Sequence, residues 1–150
     1  MTTQAYAEDS LLGALVLDPV QFHQIAPLVS ADQFTSKIRR RFFEIIRARI
    51  LDGEPVDPMT LGESGGDKIF EYAMELQSNT PSAANAEAYA QIVRENWRKR
   101  EAITIAQKLQ RAALDSDDSC IESAIGELMR LNAVVTECEY TGKQAMRLAH

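Results

Sequence analysis

Apolar residues in the first half of the chain recur every three or four positions, the spacing of a helix, and no segment alternates in the way typical of a strand. The first predicted helix carries along one side Leu11, Leu12, Leu15 and Val16. This helix must end near Leu17, because Pro19 disfavours a helical conformation in the residue before it. The pattern therefore predicts helices and turns rather than a sheet.

Capping residues mark the ends of the later helices in this half. Thr35 or Ser36 begins a strong third helix, and Gly53 ends it in the left-handed conformation that glycine accepts readily. Asp57–Pro58 begins a further helix, since aspartate accepts from free backbone N–H groups and proline suits the first helical position. These signals predict a compact helical head.

The second half predicts one long helix followed by a return helix. Residues 85–114 contain neither glycine nor proline and are rich in residues that favour helices. Roughly 30 residues rising about 1.5 Å each make a rod of about 45 Å, so we expect its far end to project from the head. Residues 115–119 then turn the chain. The predicted fold class is all-α, with a compact helical head at residues 1–84, a long antiparallel helical hairpin at 85–136 and the start of a linker at 137–150.

Both arms of the predicted hairpin carry apolar stripes. Two helices cannot cover both stripes fully, and pairing with a second copy as a four-helix bundle would cover them. The alternative is that the hairpin folds back on its own head. We predict self-association through the apolar residues Ile103, Ala106, Leu109, Ala113, Ile121, Ile125, Leu128, Leu131 and Val135.

Composition and charge narrow the classes of function. The 150 residues suffice for one domain with its own core, and the 45% of hydrophobic and 25% of charged residues are typical of a soluble globular protein. The net charge of -6 would repel a phosphate backbone, which favours protein partners over nucleic acid. The sequence has no apolar run that could cross a membrane and no secretory signal, so we expect a cytoplasmic protein without membrane contact.

The sequence offers no recognisable catalytic chemistry. It lacks a phosphate-binding loop, a dinucleotide fingerprint and the common zinc motifs, so we assign no catalytic, cofactor-binding or metal-binding residue. His23 lies beside apolar residues and far from any second histidine or cysteine, which predicts a half-buried structural histidine. Consecutive basic residues on a helix point in different directions, so Arg39–Arg41 and Arg98–Arg100 favour solvated or partner-facing charge over nucleic-acid binding.

Four motifs in a fixed order carry a resemblance to a known family. They are Gly53–Asp57 (G-E-P-V-D), Tyr72–Leu76 (Y-A-M-E-L), Asn79–Asn85 (N-T-P-S-A-A-N) and Tyr89–Glu95 (Y-A-Q-I-V-R-E). Together they resemble the N-terminal domain of bacterial replicative DNA helicases of the DnaB type, and the likeness extends over about residues 11–135. The opening segment Ala7–Ser10 departs from the E-A-E-Q that is usual in the family.

The resemblance implies a function in assembly rather than catalysis. It implies a collar that self-associates as dimers and as a trimer of dimers, and that docks primase or a helicase loader. Tyr72 is the candidate docking residue, with ordinary packing as its alternative. The resemblance also implies an ATP-dependent motor domain after His150. ATP and Mg are therefore expected to bind only to that domain, and contact with DNA is expected only through it.

Three other functions stay open at the level of sequence. One is a stand-alone phage or plasmid replication adaptor that mimics the collar, and another is the helicase-binding domain of a primase. The third is a small helical enzyme that uses Arg and Glu side chains across a dimer. The N-T-P-S-A-A-N string favours the helicase domain over the primase domain.

Overall fold

Helices form the regular structure of the chain. The computed structural model describes residues 3–132 and contains no strand within that range, which confirms the predicted all-α fold class. In chain order the elements are α1 (Thr3–Leu17), a 3-10 turn (Pro19–Gln21), α2 (Phe22–Ile25), a second 3-10 turn (Ala31–Gln33), α3 (Lys37–Leu51), α4 (Pro58–Gly65), α5 (Asp67–Asn79), α6 (Ala86–Leu114) and α7 (118–132, where the described residues end). Val135 and the predicted linker at 137–150 lie outside the described residues.

The chain divides into two compact units, Met1–Trp97 and Arg98–His150. We call the first the head and the second the hairpin unit. The sequence predicted a boundary after residue 84, before the long helix, whereas the structure divides the chain within α6. The reason is that Ala86, Ala90 and Val93 are buried in the core of the head.

The predicted capping residues begin and end the helices of the head. Ser36, rather than Thr35, is the N-cap of α3, and its hydroxyl accepts from the backbone N–H of Arg39. Gly53 follows α3 with a φ of 72°, the left-handed conformation that was predicted for it. Asp57 caps α4 in a reciprocal pair of hydrogen bonds with Thr60. Local backbone chemistry therefore fixes these helix ends.

Helix α1 lies at the centre of the head and packs against α3 and α5. Every residue from Leu11 to Val16 is buried, so this helix is covered on all sides rather than along one stripe. Aromatic residues extend the core beside it, with the ring centroids of Phe34 and Phe43 5.2 Å apart and those of Phe22 and Phe43 5.9 Å apart. Burial of this apolar surface is the main force that stabilises the head.

Two further predictions concern the exposure of His23 and the absence of a membrane-spanning helix. His23 is exposed, so the prediction of a half-buried histidine is wrong. On the short helix α2 the buried positions belong to Phe22 and Ile25, and the position between them faces solvent. Among the helices of residues 3–132, none is both long and apolar enough to span a lipid bilayer.

A glycine allows α1 to approach the end of α5. A Cβ added at Gly13 would overlap Oγ1 of Thr80 and lie 2.9 Å from its Cβ. Both residues occupy buried or half-buried positions, so neither can move aside into solvent. Close packing at this point therefore requires glycine at position 13.

We expect Gly13→Ala to lower the free energy of unfolding by about 1–3 kcal/mol, because the added methyl group overpacks the contact with Thr80. Denaturant unfolding followed by circular dichroism measures this change. Gly126→Ala is the matched control, since the nearest side-chain atom lies 3.6 Å from the added Cβ and alanine favours a helix by up to about 1 kcal/mol. A similar gain in stability for both variants would contradict the packing argument.

Candidate functional site

A network of charged and polar side chains joins three helices of the head. Asp9 on α1 accepts from Arg39 on α3, with 2.9 Å between Arg39 Nε and Asp9 Oδ1 and 3.3 Å between Arg39 Nη2 and Asp9 Oδ2. The hydroxyl of Tyr72 on α5 donates to Oδ1 of the same carboxylate. The Tyr72 ring also packs edge-on against Phe42, with 5.1 Å between the centroids. Tyr72, the predicted docking residue, is thus held in place by packing and by hydrogen bonding.

The environment of this network shifts two ionisation equilibria. Burial raises the pKa of Tyr72 well above its ordinary value, and the hydrogen bond to Asp9 and the charge of Asp9 raise it further. The hydrogen bond from Arg39 to Asp9 raises the pKa of the guanidinium, against the opposing effect of burial. Tyr72 therefore stays protonated at physiological pH, and the charges of Asp9 and Arg39 compensate each other.

Tyr72 also borders a groove on the head with a cavity volume of about 210 Å³. We call it the tyrosine groove. Its wall includes Tyr6 from α1, Tyr72 and Glu75 from α5 and Tyr89 from α6. Asn79, Thr80 and Pro81, the beginning of the N-T-P-S-A-A-N motif, complete one side of it. The motif that carried the family resemblance thus lies beside the predicted docking residue.

A buried carboxylate next to this site was missed by the sequence analysis. Glu8 is only 1% exposed, and its two oxygens accept from the backbone N–H and the hydroxyl of Thr35, the latter at 2.6 Å. Both groups lie just before α3, so Glu8 ties α1 to the beginning of that helix. The available signal was the position of Glu8, an acidic residue one turn before an apolar run. Carboxylates are rarely buried unless a partner is present, and the sequence does not reveal the partner.

The basic segment on α3 has the divided arrangement that the sequence indicated. Arg39 binds Asp9, Arg40 donates to the backbone carbonyl of Phe34 at 3.0 Å, and Arg41 is exposed. The three side chains therefore do not form one patch.

The hairpin unit contains two antiparallel arms, the C-terminal part of α6 and α7. Lys108 Nζ lies 3.0 Å from Oε1 of Glu127, and Ala102 shares a cavity with Leu128 and Leu131. Among the described residues of the unit, the most buried are Ile105, Ala112 and Ala124, none of which was predicted for self-association. The deepest burial on α6 therefore falls on positions other than those predicted for self-association.

The residues predicted for self-association fall into two groups within the described range. Half-buried positions belong to Leu109, Ile121, Leu128 and Leu131. Exposed positions belong to Ile103, Ala106, Ala113 and Ile125. Two large side chains that were not predicted are also exposed, Leu114 at 79% and Met129 at 68%, beside Ile103 at 59% and Ile125 at 46%. Both arms therefore present apolar side chains to solvent.

The turn between the arms contains a strained residue. Ser116 has a φ of 54°, in the left-handed region that side chains rarely occupy. The backbone N–H groups of Ser116 and Asp117 donate to the carbonyls of Ala113 and Ala112, at 3.3 and 2.9 Å. This pattern ends a helix with a left-handed residue, a position where glycine is usual. The next helix begins at once, since the Asp117 carboxylate accepts from the backbone N–H of Cys120 at 3.1 Å.

Comparisons with known proteins identify the family. Residues 1–95 match the sequence model of the family described as DnaB-like helicase N terminal domain. The replicative DNA helicase DnaB of Buchnera aphidicola subsp. Baizongia pistaciae (strain Bp) is 38% identical over 116 residues, which cover 73% of this chain and 25% of the relative. The DnaB of Pasteurella multocida (strain Pm70) is 26% identical over 145 residues, which cover 92% of this chain and 31% of the relative.

The family match extends over more than half of the chain and begins before the first predicted motif. The chain belongs to the family of DnaB-like helicase N-terminal domains. It spans about a quarter to a third of the length of the two curated relatives.

Solved structures share the fold. The crystal structure of the N-terminal domain of DnaB helicase from Mycobacterium tuberculosis superposes with a TM-score of 0.72 at 23% identity, and covers 83% of this chain and 94% of that chain. A structure of a DnaB-like replicative helicase and its interactions with primase gives a TM-score of 0.69 at 24% identity, covering 92% of this chain and 34% of that chain. At these identities the likeness concerns the fold.

The raised pKa of Tyr72 predicts a specific pH dependence of stability. The folded-state pKa lies above the unfolded value of about 10, so the hydroxyl contributes stability below pH 10, and this contribution is lost as the pH rises towards the folded-state pKa. We expect Tyr72→Phe to lower the free energy of unfolding at pH 7 by about 1 kcal/mol and to make its decline above pH 10 shallower.

Urea unfolding between pH 7 and 11 measures both effects. Tyr6→Phe is the control, because the Tyr6 side chain is 64% exposed and should leave the stability unchanged. A parallel decline for the wild type and Tyr72→Phe would show that Tyr72 does not titrate in this way.

Proposed function

We propose that this chain is the N-terminal collar domain of a hexameric replicative DNA helicase, where it mediates oligomerisation and docks a protein partner of the replication machinery. The match of residues 1–95 to the family carries the proposal. The partner is primase or a helicase loader. The domain itself catalyses no reaction in this proposal, and it acts through its surfaces in the cytoplasm.

The apolar side chains on the hairpin unit support self-association. Ile103 and Leu114 on one arm and Ile125 and Met129 on the other are exposed within the described residues. Burying an isoleucine of this kind stabilises a complex by about 1.5–3 kcal/mol. Pairing of two hairpin units would give a dimer, and three dimers would make the hexamer of the proposal.

The tyrosine groove supports partner docking on the head. Tyrosine combines a large apolar surface with a polar tip and is enriched at protein interfaces. Primase is the first candidate, because a solved relative with the same fold is described by its interactions with primase. Tyr72 contributes its ring to the wall of the groove, and its hydroxyl belongs to the internal network with Asp9.

The motor belongs to another part of the whole protein in this proposal. The curated relatives are named replicative DNA helicases, and this chain spans about a quarter to a third of their length. ATP and Mg would bind to the motor domain, and DNA would be contacted there. Within residues 3–132 no group of His, Cys, Asp and Glu side chains is arranged to hold a metal ion.

We expect Ile103→Asp combined with Ile125→Asp to weaken self-association at least about tenfold, because each change places a charge where an apolar side chain would be buried. Light scattering over a concentration series measures the change in mass. Thr104→Asp combined with Ser123→Asp is the matched control, since both positions are exposed and polar and lie on the same two arms. A wild-type chain that stays monomeric at high micromolar concentration, or an equal effect of the control, would contradict the proposal.

We expect Tyr6→Ala to weaken primase binding by about tenfold, since truncation of a central aromatic residue typically costs more than 1 kcal/mol at an interface. Fluorescence anisotropy with primase from the same source measures the affinity. Met59→Ala is the control, because this side chain is 66% exposed on α4 and does not border the groove. Equal affinity of Tyr6→Ala and the wild type would rule out the tyrosine groove as the docking surface.

A further inference from the structure

We infer that the tyrosine groove binds one cationic side chain, arginine or lysine, of a partner protein. The inference rests on the proposal that the groove is a docking surface, and it names the chemistry of the group that enters it. Four features of the groove support it: its charge, its tyrosines, its place at the end of a helix and its size.

The charged side chains that border the groove are acidic. They are Asp9 and Glu75, and among residues 3–132 no lysine, arginine or histidine contributes to the wall. Asp9 already pairs with Arg39, so a ligand would have to displace this arginine to use it. Glu75 is exposed and makes no hydrogen bond or ion pair within residues 3–132. The groove therefore offers one negative charge that is free to pair with a ligand.

Three tyrosines, Tyr6, Tyr72 and Tyr89, line the same groove as Glu75. The faces of aromatic rings attract cations, and an arginine or lysine placed over a tyrosine gains about 0.5–2 kcal/mol, depending on how far it is removed from water. Tyr72 is fixed by Asp9 and Phe42, whereas Tyr6 is 64% exposed and can adjust to a ligand. A carboxylate beside aromatic rings favours a cation over a neutral or negative group.

The groove also lies at the C-terminal end of a helix. Helix α5 ends at Asn79, and its last turn supplies Glu75, Leu76 and Asn79 to the wall. The final carbonyl groups of a helix lack partners along the chain and carry partial negative charge, which attracts cations. This backbone effect acts in the same direction as Glu75 and does not depend on it.

The size of the groove limits the occupant. A cavity of about 210 Å³ lies below the roughly 300–1,000 Å³ that is usual for small-molecule sites. It suits one long side chain rather than a whole helix. A phosphate or a nucleic-acid backbone would meet the carboxylates of Asp9 and Glu75 there, and the net charge of -6 on the whole chain would repel it further.

Two small probes that differ in charge test the inference. N-acetyl-arginine amide is titrated into the 150-residue chain and observed by NMR, and N-acetyl-citrulline amide serves as its neutral isostere. We expect the arginine probe to shift the resonances of Tyr6, Glu75 and Tyr89, and the citrulline probe to leave them unchanged. Equal shifts with both probes, or shifts confined to other parts of the chain, would overturn the inference.

Variants at neighbouring glutamates identify the charge that is responsible. We expect Glu75→Gln to weaken arginine binding at least about fivefold, because it removes the charge-assisted pair. Glu71→Gln is the matched control, since Glu71 is an exposed glutamate on the same helix that does not border the groove. Equal binding by Glu75→Gln and the wild type would also overturn the inference.

Primase binding by Glu75→Gln separates this inference from the proposed function. If the wild type binds primase and Glu75→Gln binds it equally well, docking stands and the role of a cationic side chain fails. If the wild type does not bind primase, the choice of primase as partner fails, and the two probes still decide whether the groove accepts a cation.

Discussion

The burial of α1 at the centre of the head is the constraint on which the rest of the structure depends. Residues Leu11–Val16 are enclosed on all sides, so apolar contact alone would leave the rotation of this helix poorly defined. Two carboxylates just before this buried stretch remove that freedom. Glu8 binds Thr35 beside the start of α3, and Asp9 binds Arg39 and Tyr72. Burying polar groups of this kind costs free energy unless they form hydrogen bonds. When they do, the hydrogen bonds favour one arrangement of the helices over others.

The packing of α1 also positions residues of the tyrosine groove, the candidate docking surface. Asp9 holds Tyr72 at the groove, and the turn of α1 before Asp9 supplies Tyr6 to the same groove. Gly13, further along α1, admits Thr80 and so positions the end of α5. The fold and the groove therefore share residues. A chain that keeps this helix packing keeps most of the groove, and it remains free to vary the exposed side chains that meet a partner.

Local signals in the sequence predicted the helices, because caps and proline act over a few residues. Gly53 and Asp57 are examples, and the structure places both as predicted. The face of α6 that packs against α7 was not predictable in the same way. This helix carries apolar residues on more than one side, and its amphipathic pattern does not say that Ile105 rather than Ile103 is buried. The groove could not be assembled from sequence at all, since Tyr6, Glu75 and Tyr89 are brought together only by tertiary packing. Glu75 and Tyr89 lie in the family motifs, but only Tyr72 was assigned a docking role from them.

The left-handed Ser116 in the turn of the hairpin unit has a consequence for the order of folding. For a residue other than glycine this conformation costs roughly 1–2 kcal/mol, so the turn is unfavourable when it forms in isolation. The burial of residues such as Ala112 and Ala124 in the folded unit must offset that cost. We therefore expect the folding nucleus of this unit to include contact between the arms, so that the reversal of the chain is completed with that contact rather than before it.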